Sequence, residues 1–242
     1  MPGVLLESKG LVKDFGKFRA VNGVSFAVEE GEVIGLLGTN GAGKTTIIKI
    51  FATLLQPTSG DALVDGISVL GESVEVRKRI GYLPETPSLY EHLTGREFLR
   101  FIGSLRETGD LDRRVDELVA LFGLEDFIDT LVGTYSKGLK QRLAFAQAIL
   151  HRPKILLLDE PLLGLDPRYS KFAKGFMREF GAGGGCVLVT THLTEMAENI
   201  CTRVAIIHRG VIKCIGTLDE VKKQTNASTL EEAFITVVEE RK

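Results

Sequence analysis

At 242 residues, 44% hydrophobic and 26% charged, the chain has the balance of a globular protein long enough to bury one sizeable core, with room for a subdomain. Its formal net charge of −2 has no dominant sign, so nothing in the overall charge argues for nucleic acid or anionic lipid as a partner. The three cysteines, Cys186, Cys201 and Cys214, lie far apart with no C-x-x-C, which speaks against a disulfide scaffold or zinc site and suits a reducing compartment.

The opening segment MPGVLLESKG lacks the basic and apolar regions of a signal peptide, and no apolar run approaches the ~18 residues of a membrane span. A soluble, cytosolic chain is expected, one that can still dock on something that is not. Two loosely alternating strands come first, Leu5 to Lys13 and Val24 to Glu29, separated by turn residues around Gly16 and Asn22-Gly23. Gly31 to Leu37 reads as a buried strand. It enters a glycine-rich turn and then an apolar segment of helical length, Thr45 to Leu55, with Pro57 just beyond as a stop. Leu63 to Val69 reads as a further strand, with Asp65-Gly66 as a turn.

From about Pro84 to Leu150 the character is helical. Leu111, Val115, Leu118, Val119 and Phe122 share one face, as do Leu139, Leu143, Ala146 and Leu150. Three short apolar runs follow, Ile155–Leu158, Val187–Thr190 and Val204–Ile207, typical of strands covered on both faces. A helical stretch from Pro167 to Phe180 and a glycine run, residues 181 to 185, separate the first two. The order is α/β with one helical insertion.

Gly38-Thr39-Asn40-Gly41-Ala42-Gly43-Lys44-Thr45, followed by Thr46, fits the phosphate-loop pattern G-x-x-x-x-G-K-[ST]. Glycines allow the tight turn that brings backbone N–H groups against phosphate oxygens, and the helix beginning near Gly43 adds its positive end. Lys44 is expected on the β- and γ-phosphates, and the Thr45 hydroxyl on Mg²⁺. Chance gives such a match in on the order of one chain in a hundred, but here a buried strand precedes it and a helix follows. A second apolar strand ends in Asp159-Glu160. In this fold such a strand end lies beside the phosphate loop. Asp159 is then expected to hold Mg²⁺ through water, and Glu160 to polarise the attacking water. His192 follows another core strand, where open α/β sheets place ligand contacts.

Together these motifs resemble the nucleotide-binding subunit of ABC transporters, over the span from about Leu5 to Phe234. The resemblance implies an α/β P-loop NTPase with a mixed, largely parallel core sheet, an N-terminal antiparallel β subdomain and an inserted α-helical subdomain. It implies one ATPase domain over 1–235, a helical subdomain at about 85–150 within a RecA-like core, and a tail at 236–242. Phe15 stands where the family has an aromatic, usually Tyr, stacked on adenine; Phe keeps the π-face. Gly81-Tyr82-Leu83-Pro84-Glu85 matches the loop that normally carries a Gln touching Mg²⁺ or the attacking water. Glu85 is expected to keep the metal role and to shift metal affinity.

Tyr135-Ser136-Lys137-Gly138-Leu139-Lys140-Gln141-Arg142 resembles the family signature, usually L-S-G-G-Q. Ser136 and Gly138 are kept, Lys137 replaces a glycine and Leu139 replaces the Gln. By itself Ser136 would be a helix N-cap. In the resemblance, Ser136, Gly138 and Leu139 meet the γ-phosphate held by a second subunit. After Glu160, the run Pro161 to Pro167 matches the loop that crosses the dimer, through Asp166. Leu162 and Leu163 depart from its small polar residues. His192 matches the switch histidine on the γ-phosphate. Segments Gly216–Glu220 and Leu230–Phe234 resemble C-terminal parts common in the exporter branch.

The implied cofactors are ATP and Mg²⁺. The implied partners are an integral-membrane permease and a second copy or homologous ATPase subunit, with no nucleic acid. The implied location is the inner face of the cell membrane. A soluble ABC-type ATPase acting on ribosomes, DNA or cluster assembly is the alternative. One cassette, a short insertion and no basic patch favour transport, and the resemblance of the Lys137 and Leu139 variant and of the C-terminal segments to the exporter branch implies export.

Overall fold

The computed structural model describes residues 3–163 and 165–239. Its first sheet is antiparallel, in the order β2-β1-β4-β5, built from β1 (Val4–Phe15), β2 (Phe18–Glu29), β4 (Ser59–Val64) and β5 (Ile67–Ser68). The second has the order β10-β9-β3-β8-β7-β6, from β3 (Val33–Leu37), β6 (Ile80–Leu83), β7 (Ile155–Asp159), β8 (Cys186–Thr191), β9 (Arg203–His208) and β10 (Val211–Gly216). Within it β9, β3, β8, β7 and β6 run parallel, and β10 closes one edge antiparallel.

The unbroken apolar runs are explained by two cores, one on each face of this second sheet. Ile34, Leu36, Ile155, Leu157, Leu188, Ala205 and Ile207 point to the side of the antiparallel sheet and of α1 (Lys44–Phe51). Their neighbours Val33, Leu37, Leu156, Leu158, Val187, Val189, Val204 and Ile206 point to the opposite side, where most of the other helices pack. A strand buried on both faces has no polar alternation to show. Cys186, Cys201 and Cys214 are free and buried, and burial pushes the Cys186 and Cys201 thiols up to about 12.

Other boundaries shift for local reasons. Helix α1 stops at Phe51, not Leu55, because Thr53 takes a left-handed φ of 59. The stretch Leu63–Val69 is the hairpin of β4 and β5 rather than one strand, turning at Asp65 and Gly66 with φ of 49 and 77. Helix α2 (Ser73–Arg79) and β6 precede the helical region. That region is α3 (Gly95–Leu105), α4 (Leu111–Phe122), a short 3-10 turn at Val132–Thr134 and α5 (Lys137–Ile149), with loops between. Thr94 and Glu97 form a reciprocal cap on α3, and Ser136 caps α5 by accepting from Leu139 N–H. Arg96 joins α3 to α4 and the loop after it, at 2.7 Å from Asp116 and 2.8 Å from Asp129.

Helix α6 (Pro167–Ala182) begins at Asp166, which accepts from Tyr169 N–H, with Pro at the first helical position. The chain then adds α7 (Thr194–Ile200), α8 (Leu218–Thr225) and α9 (Leu230–Glu239). Thr217 and Glu220 form the reciprocal cap of α8, which gives that tail motif a local physical role. The expected tail starts at 236, inside α9, where Val237 is buried; residues 240–242 lie outside the described residues.

Helices α4, α5 and α6 meet in an aromatic cluster. Phe145 lies 6.0 Å from Phe122, 6.4 Å from Tyr169 and 6.5 Å from Phe176, centroid to centroid. Phe145→Ala should cost about 3–5 kcal/mol in urea denaturation; a loss below about 1 kcal/mol would show that the cluster does not hold these helices together. Just after α5, His151 Nε2 lies 2.9 Å from Ile80 O at the start of β6, and burial, helped by Arg106, lowers the imidazole to about 4. Between pH 6.5, the ordinary histidine value, and about 4, the unfolded chain takes up a proton that the folded chain refuses. Stability should therefore fall as pH drops through that window, and His151→Gln should flatten the slope. An unchanged slope in pH-dependent denaturation would contradict the assignment.

Candidate functional site

The carboxyl ends of adjacent parallel strands β3, β8 and β7 open on one cleft of about 580 Å³. Phe15, Phe18, Ala20, residues 39 to 46, Glu85, Glu160, Leu163 and His192 line it. The loop after β3 leaves two of its glycines, Gly38 and Gly43, no room for a side chain. A Cβ on Gly38 would stand 2.6 Å from Ile207 O, and one on Gly43, at φ 108, would stand 2.5 Å from Ala20 O. Glycine is thus required at both positions by close backbone approach, and at Gly43 also by its left-handed conformation.

Lys44 is 6% exposed. Its Nζ donates to Gly38 O at 2.6 Å and Thr39 O at 3.2 Å, and lies 3.6 Å from Glu160 Oε1. Burial pulls its ammonium below the usual lysine range, against the opposing pull of Glu160, Asp159 and Glu85. Thr45 Oγ1 donates to Asp159 Oδ1 at 3.1 Å, and Thr190 Oγ1 donates to the same oxygen at 2.5 Å. Thr190 also accepts from Glu160 N–H, at 3.1 Å through Oγ1 and 3.3 Å through its carbonyl. This holds Glu160 in a left-handed conformation, φ 48, that a non-glycine residue adopts only under constraint. The Glu160 carboxylate, turned towards Lys44, is 3.0 Å from His192 Nδ1, the contact of a protonated Nδ1 donating to carboxylate.

The site therefore gathers a buried cation, a loop of backbone donors, two neighbouring carboxylates and a histidine. Among the described residues no three His, Cys, Asp or Glu side chains form a metal cage. That suits Mg²⁺, which takes one or two protein ligands and completes its shell with phosphate oxygens and water. Thr45 and Asp159 are hydrogen-bonded to each other, and the exposed Glu85 is on the cleft's lining. At the other end of the cleft Phe15 and Phe18 are largely exposed, with Lys13 Nζ 5.2 Å from the Phe15 centroid.

Ser136, Gly138 and Leu139 are not among the residues that line the cleft. Their helix is nonetheless tied to the cleft's own loop: buried Gln141 donates to Pro161 O at 3.3 Å. Arg142 lies 3.6 Å from Asp166 and 4.5 Å above the Tyr169 ring. Gly164, in the same loop, is outside the described residues. Phe18, Ala20, Thr190 and Gln141 are site residues that sequence reasoning misses. Gln141 falls inside the signature-like run without a role of its own there, Ala20 and Thr190 carry no motif, and Phe18, an aromatic three residues from Phe15 across a tight turn, is the one other signal.

The family model described as "ABC transporter" matches residues 21–163. An uncharacterized ABC transporter ATP-binding protein of Bacillus subtilis (strain 168), YdbJ, is 41% identical over 239 residues, covering 98% of this chain and 76% of that one. A solved structure titled "Structure of ATP binding subunit of ABC transporter" aligns with a TM-score of 0.90 at 34% identity, over 96% of this chain and 98% of that one. Another, a dimeric post-hydrolysis state of the ATP-binding cassette MJ0796 bound to ADP and Pi, aligns with a TM-score of 0.79 at 25% identity, over 88% and 99%.

Thr190→Val keeps the shape and removes the hydroxyl that serves both carboxylate residues. It should lower stability by about 1–3 kcal/mol in urea denaturation. A change within about 0.5 kcal/mol would mean that the buried Asp159 does not depend on it.

Proposed function

The chain belongs to the ABC transporter family, as an ATP-binding and ATP-hydrolysing subunit, and from that premise we propose that its cleft is half of a composite site, closed head to tail by a second subunit. The observation that carries this is the exposed Ser136 cap, which does not line the cleft of its own chain, whereas Phe15, Lys44, Thr45, Glu85, Glu160 and His192 do. A two-fold arrangement uses the same pair of patches twice, cleft of one subunit against Ser136, Gly138 and Leu139 of the other. The solved dimer of a homologous cassette supports such pairing. The second subunit is a copy of this chain or a homologue.

In the closed site the backbone N–H groups of residues 38 to 46 hold the phosphates, and the face of Phe15 stacks on the base. Thr45 and Glu85, with Asp159 through water, would hold Mg²⁺, which when bound would supply positive charge against the phosphates. Glu160 accepts a proton from the water aligned with the γ-phosphate. His192 holds the Glu160 carboxylate from one side and meets the γ-phosphate with its other nitrogen. Lys44 offsets the charge of the departing group. The Ser136 hydroxyl and Gly138 N–H of the partner meet the γ-phosphate from across the interface. Its loss on hydrolysis removes a bridge between subunits, and the dimer opens.

The Glu85 loop and the helical subdomain over about 85–150 pass that motion to an integral-membrane permease, and the direction we assign is export. No helix among the described residues is long and apolar enough to cross a membrane. In this reading the subunit works at the cytoplasmic face through its permease. We read residues 1–235 as one ATPase domain, because strands β3, β7, β8 and β9 each contribute to both cores.

Glu160→Gln should bind ATP, sediment as a dimer with ATP present and hydrolyse it at least ~100-fold more slowly. A monomer under saturating ATP would contradict the composite site. Turnover near that of the unsubstituted chain would remove Glu160 from the proton-accepting role.

A further inference from the structure

The turn from β9 to β10 has two residues, Arg209 and Gly210, closed by the pair Val211 and His208. Their φ values of 49 and 77 are those of a type I′ reversal. A reversal of this kind leaves its turn amides to water unless something else engages them. Here both polar groups of Gly210 are engaged. Its N–H donates to Ala42 O in the phosphate loop at 2.9 Å, and its C=O accepts from Asn22 N–H at 2.8 Å. A Cβ on Gly210 would stand 2.7 Å from Ala20 O, the same carbonyl that denies a side chain to Gly43.

Asn22 and Ala20 belong to β2, the strand that begins at Phe18 and forms the base end of the cleft. The phosphate loop follows β3, in the other sheet. Gly210 thus joins the two ends of the cleft across two sheets through one residue's backbone. The connection continues towards Phe15 at the aromatic end of the cleft: Asn22 Oδ1 accepts from Arg19 at 3.4 Å, and Arg19 grips both oxygens of Asp14, next to Phe15, at 2.8 and 3.0 Å.

We propose that Gly210 is a positioning residue that sets the distance between the base-stacking wall and the phosphate loop, so that the cleft favours a nucleoside triphosphate over a bare polyphosphate chain. The proposal rests on the reading that this cleft takes ATP. A ligand anchored at both ends registers the spacing between them. A triphosphate without a base occupies the phosphate loop alone and does not.

Gly210→Ala tests this beside Gly66→Ala, which has the same φ of 77 but nothing within 4 Å of its Cβ and a place far along the first sheet. Both bear the same backbone strain. In Gly210→Ala the KM for ATP should rise on the order of tenfold while kcat stays within about threefold. Inhibition by inorganic tripolyphosphate should be unchanged, and Gly66→Ala should leave all three constants in place. An equal rise in KM for both variants, or tripolyphosphate weakened as much as ATP, would overturn the proposal.

Should Gly210→Ala not fold, hydrogen exchange on the unsubstituted chain decides. ATP should slow the Asn22 and Gly210 amides, whereas tripolyphosphate should slow only those of the phosphate loop. Indifference of Asn22 and Gly210 to ATP would refute the strut. Failure of the unsubstituted chain to bind ATP at all would instead refute the reading beneath it.

Discussion

One oxygen of Asp159 accepts two hydroxyl protons, from Thr45 and from Thr190. Those bonds tie the start of α1, reached from β3 through the phosphate loop, to the carboxyl ends of β7 and β8. Asp159 is 1% exposed, and a carboxylate that deep is costly unless its acceptors are used. The parallel order of the three strands brings their ends together, and the two threonines supply what the burial demands. Everything else at the cleft is placed from this junction. Lys44 is one residue before Thr45, Glu160 one after Asp159, and His192 two after Thr190.

The same junction explains how an outward surface can be linked to the cleft. The Ser136 cap of helix α5 does not line the cleft of its own chain, yet Gln141 and Arg142 bind that helix to the segment from Pro161 to Tyr169 that leaves Glu160. A displacement of Ser136 by a second subunit therefore bears on the loop that carries the first subunit's carboxylate. Leu163 stands in that loop where a small polar residue is usual in the family. It lines the cleft with an apolar side chain, so in the proposed dimer contact at this point would rest on shape rather than on a hydrogen bond.

Features set by neighbours in sequence were legible, and features set by topology were not. The phosphate loop announces itself because its glycines, lysine and threonine must be consecutive. The strands β3, β7, β8 and β9 announce themselves because burial on both faces leaves long apolar runs. β6 escaped notice: it has four residues, follows α2 without a break and contains Gly81, whose missing side chain makes way for Ala148 O. β10 alternates too weakly at the sheet edge to stand out. Thr190 looks like any strand threonine until β8 is seen between β3 and β7. Gly210 looks like an ordinary turn glycine until the hairpin is seen lying against Ala42. The Ser136 run was readable as a helix cap from local chemistry, whereas its role towards another subunit came from resemblance.

The central claim, that each cleft needs another subunit's Ser136 segment, is tested most directly by mixing two silent variants. Lys44→Ala disables the phosphate loop, and Ser136→Arg blocks the opposing patch. A one-to-one mixture should recover ATPase activity to roughly a quarter of that of the unsubstituted chain, the share expected when random two-fold pairing leaves one intact site in half of the dimers. A mixture of folded variants no more active than the two measured separately would contradict it.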